Sequence, residues 1–336
     1  MRNHITVSGK PYTEIPREMT KAGNRITMQS TKQFLYNNGY ISADDLNNPN
    51  CNYSVVAQGI YNAFCDGVLS LNATKQDGVK NFTPIRVSSG LSGKLDAVIA
   101  ISTISLVNKF CLARMKNNEL VCSKCYVPES LRIDGILAYT QNMYVLTHYD
   151  LSDHTEWIPE INAAWTARQI EKKLKKAKAD GKIEISDAEM TEILNKKPLC
   201  RLESMGDIAC TLQAKNYLTI ANSNDDTDFA LWTKNPAVLA YAIDETGKPG
   251  NLSTVLSMSR KNQLDPAAYI ERYKKYFDHA FVVADDKNVI DGFLSESGFY
   301  PCRCDHFSCI RCRRCYMHDN PAFDCAVEKL RDKKIK

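Results

Sequence analysis

Apolar positions along this chain recur with two different periods. Residues 53–71 place Val55, Val56, Ile60, Phe64, Val68 and Leu69 at helical spacing, and residues 134–147 do the same with Ile136, Leu137, Met143, Tyr144 and Leu146. Both are expected to be helices with one buried face. A shorter helix is predicted from residue 30, with Ser30 or Thr31 as its cap. Residues 157–179 form another, ending in a lysine run and broken at Asp180-Gly181. Ser186 with Glu189 makes a capping box for a helix reaching Asn195. The acidic residues Glu184, Asp187, Glu189 and Glu192 beside the lysine run mark it as a solvated face.

Between these helices lie apolar runs of strand length. One covers Leu95, Val98, Ile99, Ile101 and Ile104, and others cover residues 199–207, 229–233, 252–257 and 280–284. Helical stretches at 208–223 and 237–244 separate them, the second opened by Pro236. Strands alternating with helices argue for a parallel α/β sheet, as a partial or open barrel. The chain then divides into a partly helical N-terminal extension (1–90), an α/β domain (91–298) with a helical insert (151–198), and a cysteine-rich segment (299–336).

In such sheets functional groups collect at the C-terminal ends of strands. Those ends carry Glu203, Ser204, Asp207, Thr233, Lys234, Asn235, Ser257, Ser259, Arg260 and Asp285. No glycine-rich phosphate loop or dinucleotide fingerprint is present.

Composition limits the class. The 336 residues are 44% hydrophobic and 24% charged, which suits a soluble globular protein with a sizeable core. A net charge of +4 is too mild to imply a general nucleic-acid or membrane surface. No apolar run approaches the roughly 20 residues of a membrane span. The 13 cysteines are clustered and odd in number, and no signal peptide begins the chain. A reducing, cytoplasmic setting and metal ligation are expected rather than a disulfide framework.

The clustering carries the chemistry. Cys302, Cys304, Cys309, Cys312 and Cys315 place five thiols within fourteen residues, the last three at two-residue gaps. Such a comb suits an iron–sulfur loop, whereas structural zinc more often takes two separated pairs. Cys304, Cys309, Cys312 and Cys315 are the preferred ligands, with Cys302 as substitute for Cys304. A second group, Cys111, Cys122 and Cys125, follows the first apolar run, and three protein ligands would leave one position of a centre open. Cys51, Cys65, Cys200, Cys210 and Cys325 read as packing residues. If the sheet is a barrel, the first cysteine loop sits at its mouth and the last loop caps it.

Taken in order, Ile101-Ser-Thr-Ile-Ser105, Cys111, Cys122-Ser-Lys-Cys-Tyr126, Arg201-Leu-Glu-Ser-Met-Gly-Asp207, Phe229-Ala-Leu-Trp-Thr-Lys-Asn235 and the closing comb resemble the phage gene product 88 family. The resemblance spans residues 88–316 and implies a bacteriophage or mobile-element origin rather than a reaction. A looser resemblance is to radical S-adenosylmethionine enzymes with an auxiliary cluster. It implies that Cys111, Cys122 and Cys125 hold a [4Fe–4S] cluster whose open iron binds S-adenosylmethionine. Glu203 or Asp207 would then meet the cofactor's amino group and Asn251 or Ser257 its ribose, with Ser204 also in the cofactor site and Glu203, Asp207 and Lys234 as candidate catalytic groups. The gap of ten residues between Cys111 and Cys122 departs from the commoner three.

Three function classes remain open. One is a radical-type iron–sulfur enzyme acting on a small molecule, peptide or nucleotide. Another is a zinc-stabilised nucleic-acid binder using Arg303, Arg311, Arg313, Arg314, Phe307, Tyr316, Lys329, Arg331 and residues 333–336. The same arginines can instead offset the charge of a tetrathiolate centre. The third is a ligand-binding protein with structural metal only.

Overall fold

The computed structural model describes residues 20–21, 25–88, 95, 97–117, 122, 125, 127, 131–259, 266–284, 300–302, 309–318 and 324–329. A small hairpin of β1 (Thr20–Lys21) and β2 (Arg25–Ile26) precedes helices α1 (Met28–Asn37), α2 (Ala43–Asn47) and α3 (Tyr53–Cys65). A second hairpin, β3 (Thr74–Lys75) and β4 (Phe82–Thr83), leads to β5 (Val87–Ser88) and β6 (Ile99–Ile101). Helices α4 (Lys109–Lys116), α5 (Ile133–His148), α6 (Ala163–Ala179) and α7 (Asp187–Leu194) come before β7 (Leu199–Leu202). Regular alternation follows with α8 (Thr211–Asn222), β8 (Asp228–Thr233), α9 (Pro236–Thr246), β9 (Leu252–Ser259), α10 (Pro266–Tyr273) and β10 (His279–Ala284). The chain closes with β11 (Tyr300–Cys302), the helical turn α11 (Cys309–Cys312) and β12 (Asp324–Lys329).

The main sheet has eight strands in the order β11-β12-β10-β9-β8-β7-β6-β5. All its pairings are parallel except the antiparallel β5–β6 edge. Among the described residues no ladder joins β5 to β11, so the sheet is open and no barrel closes.

Strand alternation sorts the two faces. Ile99, Ile101, Cys200, Leu202, Phe229, Leu231, Leu252 and Leu256 join the larger core cluster, together with buried residues of α5, α8, α9 and α10. Those helices belong to successive crossovers, so the sheet is wound on one side. Phe34, Leu35, Val56 and Ile60 of the N-terminal helices join the same cluster, so residues 28–65 pack directly on the sheet's helical side. The opposite face carries Val98, Leu199 and Ala230. It is covered by Ile170 and Leu174 of α6, Met190 and Ile193 of α7, and Ile310 and Tyr316 near the C-terminus.

Several expectations hold, among them Pro236 in the first turn of α9 and the Ser186–Glu189 capping box of α7. Others are corrected. The cap of α1 is Thr27, with Ser30 three positions inside, because the pair completes a capping box. The helix expected from residue 157 begins at Ala163 on the side chain of Asn162, and Trp157 closes a separate 3-10 turn. The first core strand is short because Ala97 takes φ 68°, which turns the chain just before it. Helix α4 was not expected, since its residues show no apolar stripe and none is buried. Among the described residues no helix is long and apolar enough to cross a membrane.

Candidate functional site

The C-terminal ends of β6, β7 and β8 are tied together by buried polar side chains. Ser102 and Ser204 share a hydroxyl–hydroxyl bond of 2.7 Å, and the Ser204 N–H donates to Ser102 Oγ at 3.0 Å. Glu203 follows β7, where alternation would set it on the same face as Arg201. Its φ of 58° turns it instead toward α8 on the opposite face. There its carboxylate accepts from Tyr217 OH at 2.5 Å, Gln213 Nε2 at 2.5 Å and Thr103 Oγ1 at 2.7 Å. A left-handed non-glycine residue is costly, and this network holds it in place. Glu203 is only 3% exposed. Desolvation pushes its carboxyl up to about 7, against the donors from Tyr217 and Thr103 that favour the charged form.

Asp207 joins the loop after β7 to the loop after β8. Its Oδ1 accepts from Thr233 Oγ1 at 2.5 Å and from the Ile208 N–H at 2.8 Å, and its Oδ2 accepts the Lys234 N–H at 3.0 Å. Its carbonyl accepts from Asn108 Nδ2 at 2.6 Å, while Asn108 Oδ1 caps α4 through the N–H groups of Phe110 and Cys111. Asn108 thus fixes Cys111 relative to the end of β7. Asn108→Ala removes a helix cap and leaves the buried Asp207 carbonyl without its side-chain donor. It is expected to cost about 2 kcal/mol in urea unfolding, and a loss under 0.5 kcal/mol would contradict this linkage.

Cys111 of the first thiol group lies beside this rim. Burial and the nearby Asp207 carboxylate push the Cys111 thiol well up, Lys234 opposes them, and Glu203 and Cys122 add smaller upward contributions. Cys122 and Cys125 share a turn through a 3.2 Å bond from the Cys125 N–H to the Cys122 carbonyl. Cys125 Sγ lies 4.0 Å from Ser105 Oγ, just past β6. The donor set suits a soft, thiophilic centre, and the Lys234 charge beside Cys111 would favour its thiolate. Among the described residues no group of three or more His, Cys, Asp or Glu side chains is arranged to hold a metal ion. Ser123, Lys124 and Tyr126 lie outside the described residues.

The C-terminal comb lies elsewhere. Arg313, at φ 52°, ends α11, and the 3-10 turn Arg314–Tyr316 follows. Arg313 Nη2 donates to the Lys197 carbonyl at 2.6 Å and to Asp228 Oδ2 at 2.7 Å, both at the starts of β7 and β8. Arg311 reaches Glu189 of α7 at 4.0 Å. Cys309 and Cys315 pack against the smaller core cluster, and Cys312 is exposed. The expected cap over the strands' C-terminal mouth is therefore not formed by these residues. They dock toward the other end of the strands, because the Arg313–Asp228 pair anchors them there. Cys302 lies in β11 and Lys329 ends β12. Cys304, Arg303, Phe307, Arg331 and residues 333–336 lie outside the described residues, as do Arg260 and Asp285.

The two proposed ribose contacts also separate. Asn251 precedes β9, at the far end from Glu203, and its amide donates to the carbonyls of Ala221, Asn224 and Thr227. Ser257 is buried on β9, alternating with Leu256 and Met258 of the larger core, and so occupies the opposite face. Glu203 and Asp207 are engaged by the protein's own donors, and in this geometry they position the rim. Sequence reasoning missed Asn108, Gln213 and Tyr217. Asn108 carries a cap signal before Lys109, and Gln213 and Tyr217 sit at i, i+4 on a predicted helix, which places them on one face.

The family model for Gene product 88 matches residues 106–329, which takes in both cysteine groups and the rim between them. No curated protein and no solved structure matches the chain. With two thirds of its length under that model, the chain belongs to the phage gene product 88 family.

Proposed function

We propose that this protein is a two-centre iron–sulfur protein, with an open centre at the rim held by Cys111, Cys122 and Cys125. The second centre takes Cys309, Cys312 and Cys315 with Cys304 or Cys302. The observation that supports this reading is the position of Cys111 near Asp207, Lys234 and Cys122 at the C-terminal ends of parallel strands, with Cys122 and Cys125 sharing one turn. When bound, such an open centre supplies one-electron chemistry and a vacant iron for a small ligand such as S-adenosylmethionine. The protein's own contribution is positional. Asn108 holds the helix bearing Cys111, Asp207 clamps the loop bearing Lys234, and the Lys234 charge offsets thiolate at Cys111. The substrate class that fits the polar rim is a small molecule or nucleotide.

Metal and sulfide analysis of anaerobically purified protein tests this. About eight irons with matching sulfide are expected, falling to about four in Cys122→Ser and likewise in Cys312→Ser. Zinc alone, near two per chain with no sulfide, would overturn the iron–sulfur assignment and leave a zinc-stabilised protein whose nucleic-acid binding is then measured against salt.

A further inference from the structure

A cavity of about 390 Å³ opens on the helical side of the sheet, near its antiparallel edge. Its walls are the end of α3, parts of residues 69–88 and the first half of α5. Phe64, Leu69 and Leu137, all of the larger core, form its apolar part.

Side-chain amides fix these walls. Gln141 Oε1 accepts the Asn72 N–H at 2.9 Å, and its Nε2 donates to the Asn72 carbonyl at 3.1 Å and to the Pro84 carbonyl. Gln76 Oε1 accepts the Val87 N–H at 2.7 Å, while its Nε2 donates to the Ile85 carbonyl at 2.8 Å. Asn142 Oδ1 accepts the Arg86 N–H at 2.6 Å, and its Nδ2 donates to the carbonyls of Arg86 and Ser102, both at 2.9 Å. The cavity therefore sits at the same end of the sheet as the rim, beside the C-terminal end of β6. Walls pinned in this way are preformed, so a ligand entering them does not have to order the backbone.

The cavity carries charges of both signs. Arg86 and Asp134 line it, and no described ion pair joins them. The Arg86 guanidinium bonds Thr74 Oγ1 through Nη1, one of five N–H donors. Ser88 Oγ and the Tyr139 hydroxyl, also in the lining, share a bond of 2.9 Å. Two hydroxyls bring two protons and this bond uses one, so the pair keeps an O–H for an acceptor in the cavity. Asp134 lies in the first turn of α5, one turn before Leu137 and two before Gln141. One helix face thus offers a carboxylate and then apolar surface. Donors for an anion, an apolar middle and a carboxylate in a cavity of this size match a small zwitterion with an apolar body.

We infer that this cavity binds an apolar α-amino acid. Its carboxylate meets Arg86 and the Ser88–Tyr139 pair, its ammonium meets Asp134, and its side chain lies against Phe64, Leu69 and Leu137. The site goes beyond the iron–sulfur reading and does not depend on it, since none of these residues is a proposed metal ligand.

Isothermal titration of the full-length protein with L-leucine, L-methionine, L-phenylalanine and L-tryptophan tests this. At least one is expected to bind, one per chain, with a dissociation constant below about 1 mM. Matching analogues that lack the ammonium or the carboxylate, 3-phenylpropionate and phenethylamine in the case of phenylalanine, should each bind at least about 10-fold more weakly. Asp134→Asn should weaken the amino acid about 10-fold and leave the analogue without the ammonium unchanged, whereas Arg86→Met should weaken both. Asp134 is exposed, so its variant keeps the test readable if Arg86→Met lowers stability. No binding by any of the four amino acids, or wild-type affinity in both variants, would overturn the inference. Equal affinity for an amino acid and its two analogues would overturn it as well. Iron and sulfide content enters none of these outcomes, so this site and the proposed centres stand or fall separately.

Discussion

Gly206→Ala is expected to unfold with about 3 kcal/mol less stability than wild type. A Cβ at this position would lie 2.6 Å from Thr103 Oγ1, 2.8 Å from Glu203 Oε2 and 3.1 Å from the Thr103 carbonyl. None of these can retreat cheaply. Thr103 is fully buried, Glu203 nearly so, and the two are bonded to each other at 2.7 Å. Relief must come from breaking that bond or from moving the end of β7 away from β6. Gly250 provides the control, since a Cβ there meets nothing within 4 Å. Gly250→Ala should be neutral or slightly stabilising. Equal urea midpoints for the two variants would refute the account of the rim as close-packed.

Glu203 makes stability depend on pH in an unusual direction. Its carboxyl is pushed up to about 7 in the folded protein, from an ordinary value near 4.5. Below pH 4.5 it is protonated in both states and costs nothing extra. Between pH 4.5 and 7 the folded state keeps a proton that the unfolded chain releases, so raising the pH through this window removes stability. Above 7 the penalty is complete, at about 3 kcal/mol for a shift of this size. Glu203→Gln has no such proton. The wild type should therefore lose about 3 kcal/mol relative to Glu203→Gln across that window, with other titrating groups cancelling in the difference. Parallel stability curves for the two proteins would show that the burial is compensated.

The parts of this fold that were legible in the sequence are those with local causes. Phe229 to Thr233 reads as a strand because its apolar run stops at a polar pair and a proline, and β8 with α9 follows that punctuation. The motif from Arg201 to Asp207 was rightly placed at a strand end. What stayed hidden depends on distant partners. The left-handed turn at Glu203 has no glycine to announce it and is held by Tyr217 and Gln213, which sequence spacing cannot link to it. Helix α4 places Cys111 by the bond from Asn108 to the Asp207 carbonyl, across almost a hundred residues of chain. Cysteine spacing says nothing about which end of a sheet the C-terminal comb will occupy. That position follows from Arg313 meeting Asp228.

The strand order at the far edge also bears on how the molecule is assembled. β12 follows β11 in the chain yet lies between it and β10. In this sheet β11 therefore has no ladder until β12 arrives, and the edge completes in a single late step rather than strand by strand. The connection between these strands also delivers Ile310 and Tyr316 to the smaller core. As the polypeptide emerges from the ribosome, β10 is thus a bare edge beside an uncovered apolar face, a species prone to pair with other chains. Both hazards end together, when the last described strand slots in.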